Sequence, residues 1–92
     1  MDTTFDETKR KLTLENRGID FADAWVVFEG ITLTVEDDRF DYGEVRYQTI
    51  GRLHRSTVMV VWTQRGRARH IISMRKCNAK ERRLYEANVG GP

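Results

Sequence analysis

Hydrophobic positions change their period along this chain, and the change divides it into helical and extended parts. Residues 3–5 predict a short edge strand. Asp6 then has the chemistry of a helix N-cap, and residues 7–16 follow as a short helix. On it Leu12 can face a core, while Lys9, Arg10 and Lys11 point mostly to other sides. Gly18 supplies a helix stop. Asp20 is a second N-cap, and Phe21, Ala24, Trp25 and Phe28 recur at helical spacing on one face as far as Gly30. From there the period becomes two. Residues 31–35 predict a strand, and the acidic run around Glu36, Asp37, Asp38 and Asp41 predicts a loop. Residues 46–53 predict the next strand, and a turn at His54-Arg55-Ser56 leads to residues 57–63. That stretch, TVMVVWT, is apolar on both faces, as a covered central strand requires. A turn at Gln64-Arg65-Gly66-Arg67 and a strand over 68–74 complete an antiparallel meander. Asn78 followed by Glu81 has the form of a capping box and opens a last helix to about residue 88. Two helices, a meander and a helix predict an α+β layer with helices packed on the sheet.

Composition limits what such a chain can be. With 92 residues and 39% hydrophobic positions there is apolar surface for one core. Residues 1–88 are expected to form a single domain, with 89–92 as a frayed tail. One cysteine, Cys77, excludes an intramolecular disulfide and leaves too few thiolates for a structural zinc site. No apolar run approaches a membrane span, so no membrane partner is expected. The opening MDTTFDETKR has no signal-peptide core, which predicts a cytoplasmic protein.

The formal charge of +2 hides an asymmetry. Residues 1–50 hold six Lys/Arg and twelve Asp/Glu, whereas residues 51–92 hold ten Lys/Arg against only Glu81 and Glu86. A basic half of this kind attracts phosphates through counterion release, and RNA is the expected partner. A solvated rim that keeps the protein soluble would show the same composition.

Strand alternation sorts the candidate side chains by face. Arg46, Gln48, Ile50 and Arg52 share one face of their strand, and Arg69, Ile71, Ser73 and Arg75 share one face of theirs. Arg65 and Arg75 are candidates to clamp one phosphate. A histidine such as His54 is a candidate acid or base. Lys9 and Tyr85 are further polar candidates near helix ends. Arg52, Arg67, Arg69, Trp62 and Glu81 are candidate RNA contacts, Trp62 being readable as a stacking platform or as core. Each has a plain structural alternative: a loop histidine, a packed tyrosine, a surface lysine, a capping glutamate. No metal site is expected, because His54 and His70 lack partners at ligand spacing and the acidic run lacks calcium-loop spacing. No phosphate loop, dinucleotide fingerprint or nucleophile elbow is present, and no cofactor is expected. What remains suits cleavage of RNA by its own 2′-hydroxyl, which needs a base, a charge clamp and a proton donor.

The blocks FDETKRKLTLENRGIDFADAWVVF, TVEDDRFDYGEVRYQTIGRL, VMVVWTQRG, HIISMRK and ERRLYE resemble, in order and spacing, the BrnT toxins of type II toxin–antitoxin modules. The resemblance spans about residues 5 to 86. It departs in the opening, where Phe5 precedes Asp6 directly and the family commonly has a tryptophan between. It implies a RelE-like fold and a ribonuclease toxin that inhibits translation by cutting RNA without a metal. It also implies a BrnA-type ribbon-helix-helix antitoxin, with operator DNA reached only through the toxin–antitoxin complex. Carried over by position, it marks Lys9 in the D-E-x-K opening, Arg65 in the T-x-R-G turn, Arg75 at the I-S-x-R strand end, and Glu81 and Tyr85 in the E-R-R-x-Y helix. A non-catalytic RNA-binding or operon-regulatory module is the alternative, and it would bind nucleic acid without producing new RNA ends.

Overall fold

Local side-chain chemistry starts and stops the first helix. In a computed structural model of the chain, which describes residues 2–89, strand β1 (Asp2–Phe5) runs into α1 (Glu7–Arg17). Asp6 caps α1 by accepting from the Thr8 N–H at 2.9 Å. Gly18 ends it at φ +67°, a left-handed conformation that costs a glycine little, and its N–H bonds Leu14 O at 3.0 Å. Asp20 accepts from the Ala22 N–H and opens a 3₁₀ turn (Phe21–Asp23) that continues into α2 (Ala24–Glu29). Strands β2 (Leu33–Asp37), β3 (Arg46–Leu53), β4 (Ser56–Arg65) and β5 (Ala68–Lys76) follow, and α3 (Ala79–Val89) closes the described chain.

The five strands form one mixed sheet in the order β1-β5-β4-β3-β2. β2 through β5 pair antiparallel, and β1 lies parallel to β5 at the edge, so the sheet is larger than the expected meander. The α+β class agrees with the expectation from the sequence. Several boundaries differ. The second strand begins at Leu33 rather than residue 31 and runs to Asp37, and β5 extends to Lys76. Val89 is the last residue of α3 and not part of a tail, while residues 90–92 lie outside the described residues.

Both faces of the sheet are covered, by different elements. On one face Phe21, Ala24 and Val27 pack with Leu53, Val58, Val60, Trp62, Ile71 and Met74. On the other Tyr85 of α3 packs with Ile50, Met59 and Cys77. Two expected core positions are instead at the surface: Leu12 is 52% exposed and Trp25 56%. α1 buries none of its residues, and the six-residue α2 turns Val27 inward in place of Trp25.

One irregularity reorganises the basic half. Val61 pairs with Ser73 but Trp62 pairs with Ile71, so Ile72 is an extra residue, a β-bulge in β5. The bulge flips the alternation, and Ile71 and Met74, three residues apart, face the same core. Arg69 and Arg75 therefore lie on opposite faces, which corrects the face assignment made from strict alternation. Arg69 lies over the Phe28 ring at 4.0 Å and near Trp62 at 5.3 Å, on the α2 side. Arg75 lies on the α3 side.

Candidate functional site

The parallel pairing of β1 with β5 sets Thr4 beside His70, and Thr4 Oγ1 lies 2.9 Å from His70 Nδ1. When Nδ1 carries the ring hydrogen it donates to that hydroxyl, and Nε2 is left as an open acceptor. Among the described residues Arg69 Nε is the one buried side-chain nitrogen or oxygen without a partner. His70 Nε2, which has no hydrogen-bond partner there either, is thus open to solvent. β4 places Thr63 opposite His70 and Arg65 two residues further along the same face. α1 brings Lys9 into a cleft of about 230 Å³ that it lines with Leu12, Ile72 and Ser73.

The electrostatics of this corner follow from those placements. Burial first, then the Arg65 guanidinium, hold the His70 imidazole below its ordinary value; Lys9 adds to them, while Glu44 and Asp6 act in the opposite direction. The ring is accordingly neutral at neutral pH. Glu44 is shared between Arg46 at 3.2 Å and Arg65 at 3.7 Å, and Arg46 also stacks 4.1 Å over the Tyr42 ring. Arg65 remains half exposed, with donors to spare.

The residues singled out from sequence are distributed over the molecule rather than gathered. Lys9 and Arg65 belong to the corner just described, and Arg67 is exposed in the turn next to Arg65. Arg65 pairs with Ala68 and Arg75 with Met59, so about 20 Å of strand separates the two at ~3.3 Å per residue. Arg75 forks onto Glu81, with both nitrogen–oxygen distances 2.8 Å. The structure therefore does not converge Arg65 and Arg75 on one phosphate. Glu81 also closes the expected capping box, since it accepts from the Asn78 N–H while Asn78 Oδ1 accepts from the Glu81 N–H.

His54 occupies the far end of the sheet, in the β3–β4 turn at φ +54°, and does not meet Lys9 or Arg65. Arg52 is at that far end too, opposite Thr57. Tyr85, a polar candidate from the sequence, is buried, and its hydroxyl donates to Ile31 O at 2.7 Å, which matches the packed tyrosine that was its structural alternative. Trp62 is 9% exposed and its Nε1–H donates to Thr49 Oγ1 at 2.8 Å, which makes it core and not a stacking platform. Burial pushes the Cys77 thiol up to about 11, so it is an inert packing group at neutral pH. The residue that sequence reasoning missed is His70. Its position next to the doubled Ile71-Ile72 is the only local signal, because two adjacent isoleucines before Met74 hint at broken alternation.

The Arg75–Glu81 pair has a consequence for acid stability. The Arg75 hydrogen bonds hold the Glu81 carboxyl down at about 2, against a smaller opposing effect of burial. A carboxylate depressed in the folded state stabilises above its unfolded value and loses that contribution as pH falls through the folded one. Stability should therefore decline between the ordinary glutamate range and pH 2, and Glu81→Gln should flatten part of that decline. Urea unfolding midpoints across this range check it. Because Arg75 is 43% exposed, the effect should stay within about 1 kcal/mol, as for other exposed ion pairs.

The corner of this small α+β domain sets the His70 imidazole among two cations, Arg65 and Lys9, and two carboxylates, Glu44 and Asp6. The family model described as "Ribonuclease toxin, BrnT, of type II toxin-antitoxin system" matches residues 5–81. The chain belongs to the BrnT family of ribonuclease toxins. No curated protein matches it closely enough to count as a relative.

Proposed function

We propose that this chain cuts RNA by attack of a ribose 2′-hydroxyl on the adjacent phosphate, with no metal ion. Unopposed by its antitoxin, it thereby stops translation and growth. The observation that carries the reading is the grouping of His70, anchored on Thr4, with Arg65 and Lys9 on one face. His70 Nε2 takes the proton of the 2′-hydroxyl as the O2′–P bond forms. Arg65 and Lys9 offset the charge that develops on the phosphorane oxygens. The P–O5′ bond then breaks, and the departing oxygen takes a proton from the Lys9 ammonium. The products are a 2′,3′-cyclic phosphate and a 5′-hydroxyl.

The same reading includes a RelE-like fold, a cytoplasmic location and a cognate BrnA-type ribbon-helix-helix antitoxin, with operator DNA contacted only through the complex. An acidic or amphipathic antitoxin segment over the cationic face would neutralise the toxin by excluding RNA. No helix among the described residues is long and apolar enough to cross a membrane. One observation favours a second, non-catalytic reading as an RNA-binding or operon-regulatory module: the Arg75 guanidinium is already satisfied by Glu81. Expression without antitoxin separates the two. Wild-type protein should arrest growth, and Arg65→Ala at equal soluble level should not; harmless wild-type expression would contradict the toxin reading.

A further inference from the structure

At the end of the sheet opposite His70, a polar cleft of about 250 Å³ opens between the β3–β4 turn, the end of β5 and α3. Its lining includes Arg52, Arg55, Lys76 and Arg82, against a single carboxylate, Glu86. None of these five has an ion-pair partner among the described residues. Arg10 and Arg39, by contrast, are neutralised locally, by Asp20 and Asp37. The cleft is built rather than incidental. The Cys77 N–H bonds Thr57 O at 2.9 Å and Arg82 Nη1 donates to Cys77 O at 3.0 Å, so Arg82 is positioned by the backbone beneath it. The Ser56 and Thr57 side chains also line it.

From this arrangement we infer that the cleft is a second phosphate-binding site, which holds the RNA backbone several nucleotides away from the bond being cut. The inference rests on the ribonuclease reading for the identity of the polyanion. Two observations favour RNA over an acidic peptide. Arg52 lies on the α3 face of the sheet, the face that also carries Arg65 and His70. Between the two ends, Ser73 and Arg75 continue a polar track on that face of β5. One extended strand can follow that track from the reacting corner to the cleft. Arg65 to Lys76, which pairs with Val58, spans about 23 Å of sheet at ~3.3 Å per residue, which requires more than a dinucleotide.

The test compares full-length wild type with Arg52→Gln/Arg55→Gln and with Lys11→Gln/Lys80→Gln, which removes the same charge away from this cleft. Arg52 and Arg55 make no hydrogen bonds through their side chains within the described chain, so circular dichroism and melting should match wild type. Binding of a 12-nucleotide single-stranded RNA is measured as a function of salt, with every 2′-hydroxyl methylated so that it cannot be cut. Each lost phosphate contact lowers the slope of log K against log salt by about 0.7, so the cleft variant should lose about 1.4. The Lys11/Lys80 variant should keep the wild-type slope. Equal slopes for wild type and the cleft variant would overturn the proposal, as would equal losses in both variants. Unchanged RNA binding with lost affinity for poly-L-glutamate would assign the cleft to an acidic peptide and overturn it as well. The ribonuclease reading is scored separately, on ribose RNA. A lost slope together with absent cleavage would leave the cleft standing and remove the enzyme.

Discussion

Replacing His70 by alanine should slow RNA cleavage by about 10²–10⁴-fold, the range typical of a lost general base, with little change in stability. The stability expectation follows from its surroundings. The substitution removes one hydrogen bond at the surface, to Thr4, which is worth about 1 kcal/mol. Wild-type activity should rise as pH passes upward through the imidazole value, because only the neutral ring accepts the 2′-hydroxyl proton. That value lies below the usual histidine range, held there by burial, Arg65 and Lys9 against Glu44 and Asp6. The acidic limb of the pH–rate profile should therefore sit below ordinary histidine titration and disappear in His70→Ala. His54→Ala, at the opposite end of the sheet, should keep that limb. A profile that moves with His54 and ignores His70 would reverse the assignment. Arg65→Ala should reduce the rate by about 10²–10³-fold through lost charge stabilisation, without shifting proton transfer away from His70.

The largest stability effect should come from Trp62→Ala, at about 3–5 kcal/mol. For 92 residues the whole stability is roughly 5–14 kcal/mol, so one substitution should remove a large share of it. Trp62 supports that estimate in three ways. Its ring packs at 5.6 Å against Phe28 and at 4.8 Å against Tyr47, and its Nε1–H satisfies Thr49 Oγ1. Trp62→Phe keeps much of the packing and leaves Thr49 without that donor, although Thr49 still bonds Thr34 at 2.8 Å. A smaller loss of about 1–3 kcal/mol is expected there. Guanidinium unfolding of both variants gives the measurement. A Trp62→Ala protein as stable as wild type, but weaker for RNA, would restore the stacking platform that its residue type suggested.

The parts of this molecule that were legible in the sequence are those made by neighbours. Asp6 and Gly18 delimit α1, and Asn78 and Glu81 open α3, because a cap needs only residues two to four positions apart. The apolar TVMVVWT run marked β4 as the covered centre of the sheet, since burial on both faces leaves no polar alternation. What escaped was decided over distance. β1 joins β5 in parallel across more than sixty residues, and that pairing is what brings Thr4 to His70. The bulge at Ile72 cannot be placed by alternation, yet it decides that Arg69 turns to the aromatic core while Arg75 turns to α3. Trp25 fitted the apolar stripe of α2, but a six-residue helix on a short lead-in presents only Ala24 and Val27 to full burial.

The candidate site shows the same division. The T-x-R-G and D-E-x-K positions pointed to Arg65 and Lys9, and the sheet brings both to one corner. Arg75 and Glu81 were marked by the same kind of resemblance, and the structure joins them to each other, as a fork that fastens the start of α3. A histidine in a turn is a natural acid–base candidate, and His54 is one. Register puts it at the wrong end of the strands for Arg65, and puts His70 at the right one.

The central claim is that the chain's own imidazole, guanidinium and ammonium groups complete RNA cleavage. It is tested most directly by incubating purified protein with a short ribose RNA in excess EDTA and analysing the ends by mass spectrometry. The account predicts 2′,3′-cyclic phosphate and 5′-hydroxyl ends at a rate unaffected by the chelator. Uncut RNA in EDTA with cutting restored by magnesium, or cut ends bearing 5′-phosphate, would contradict it.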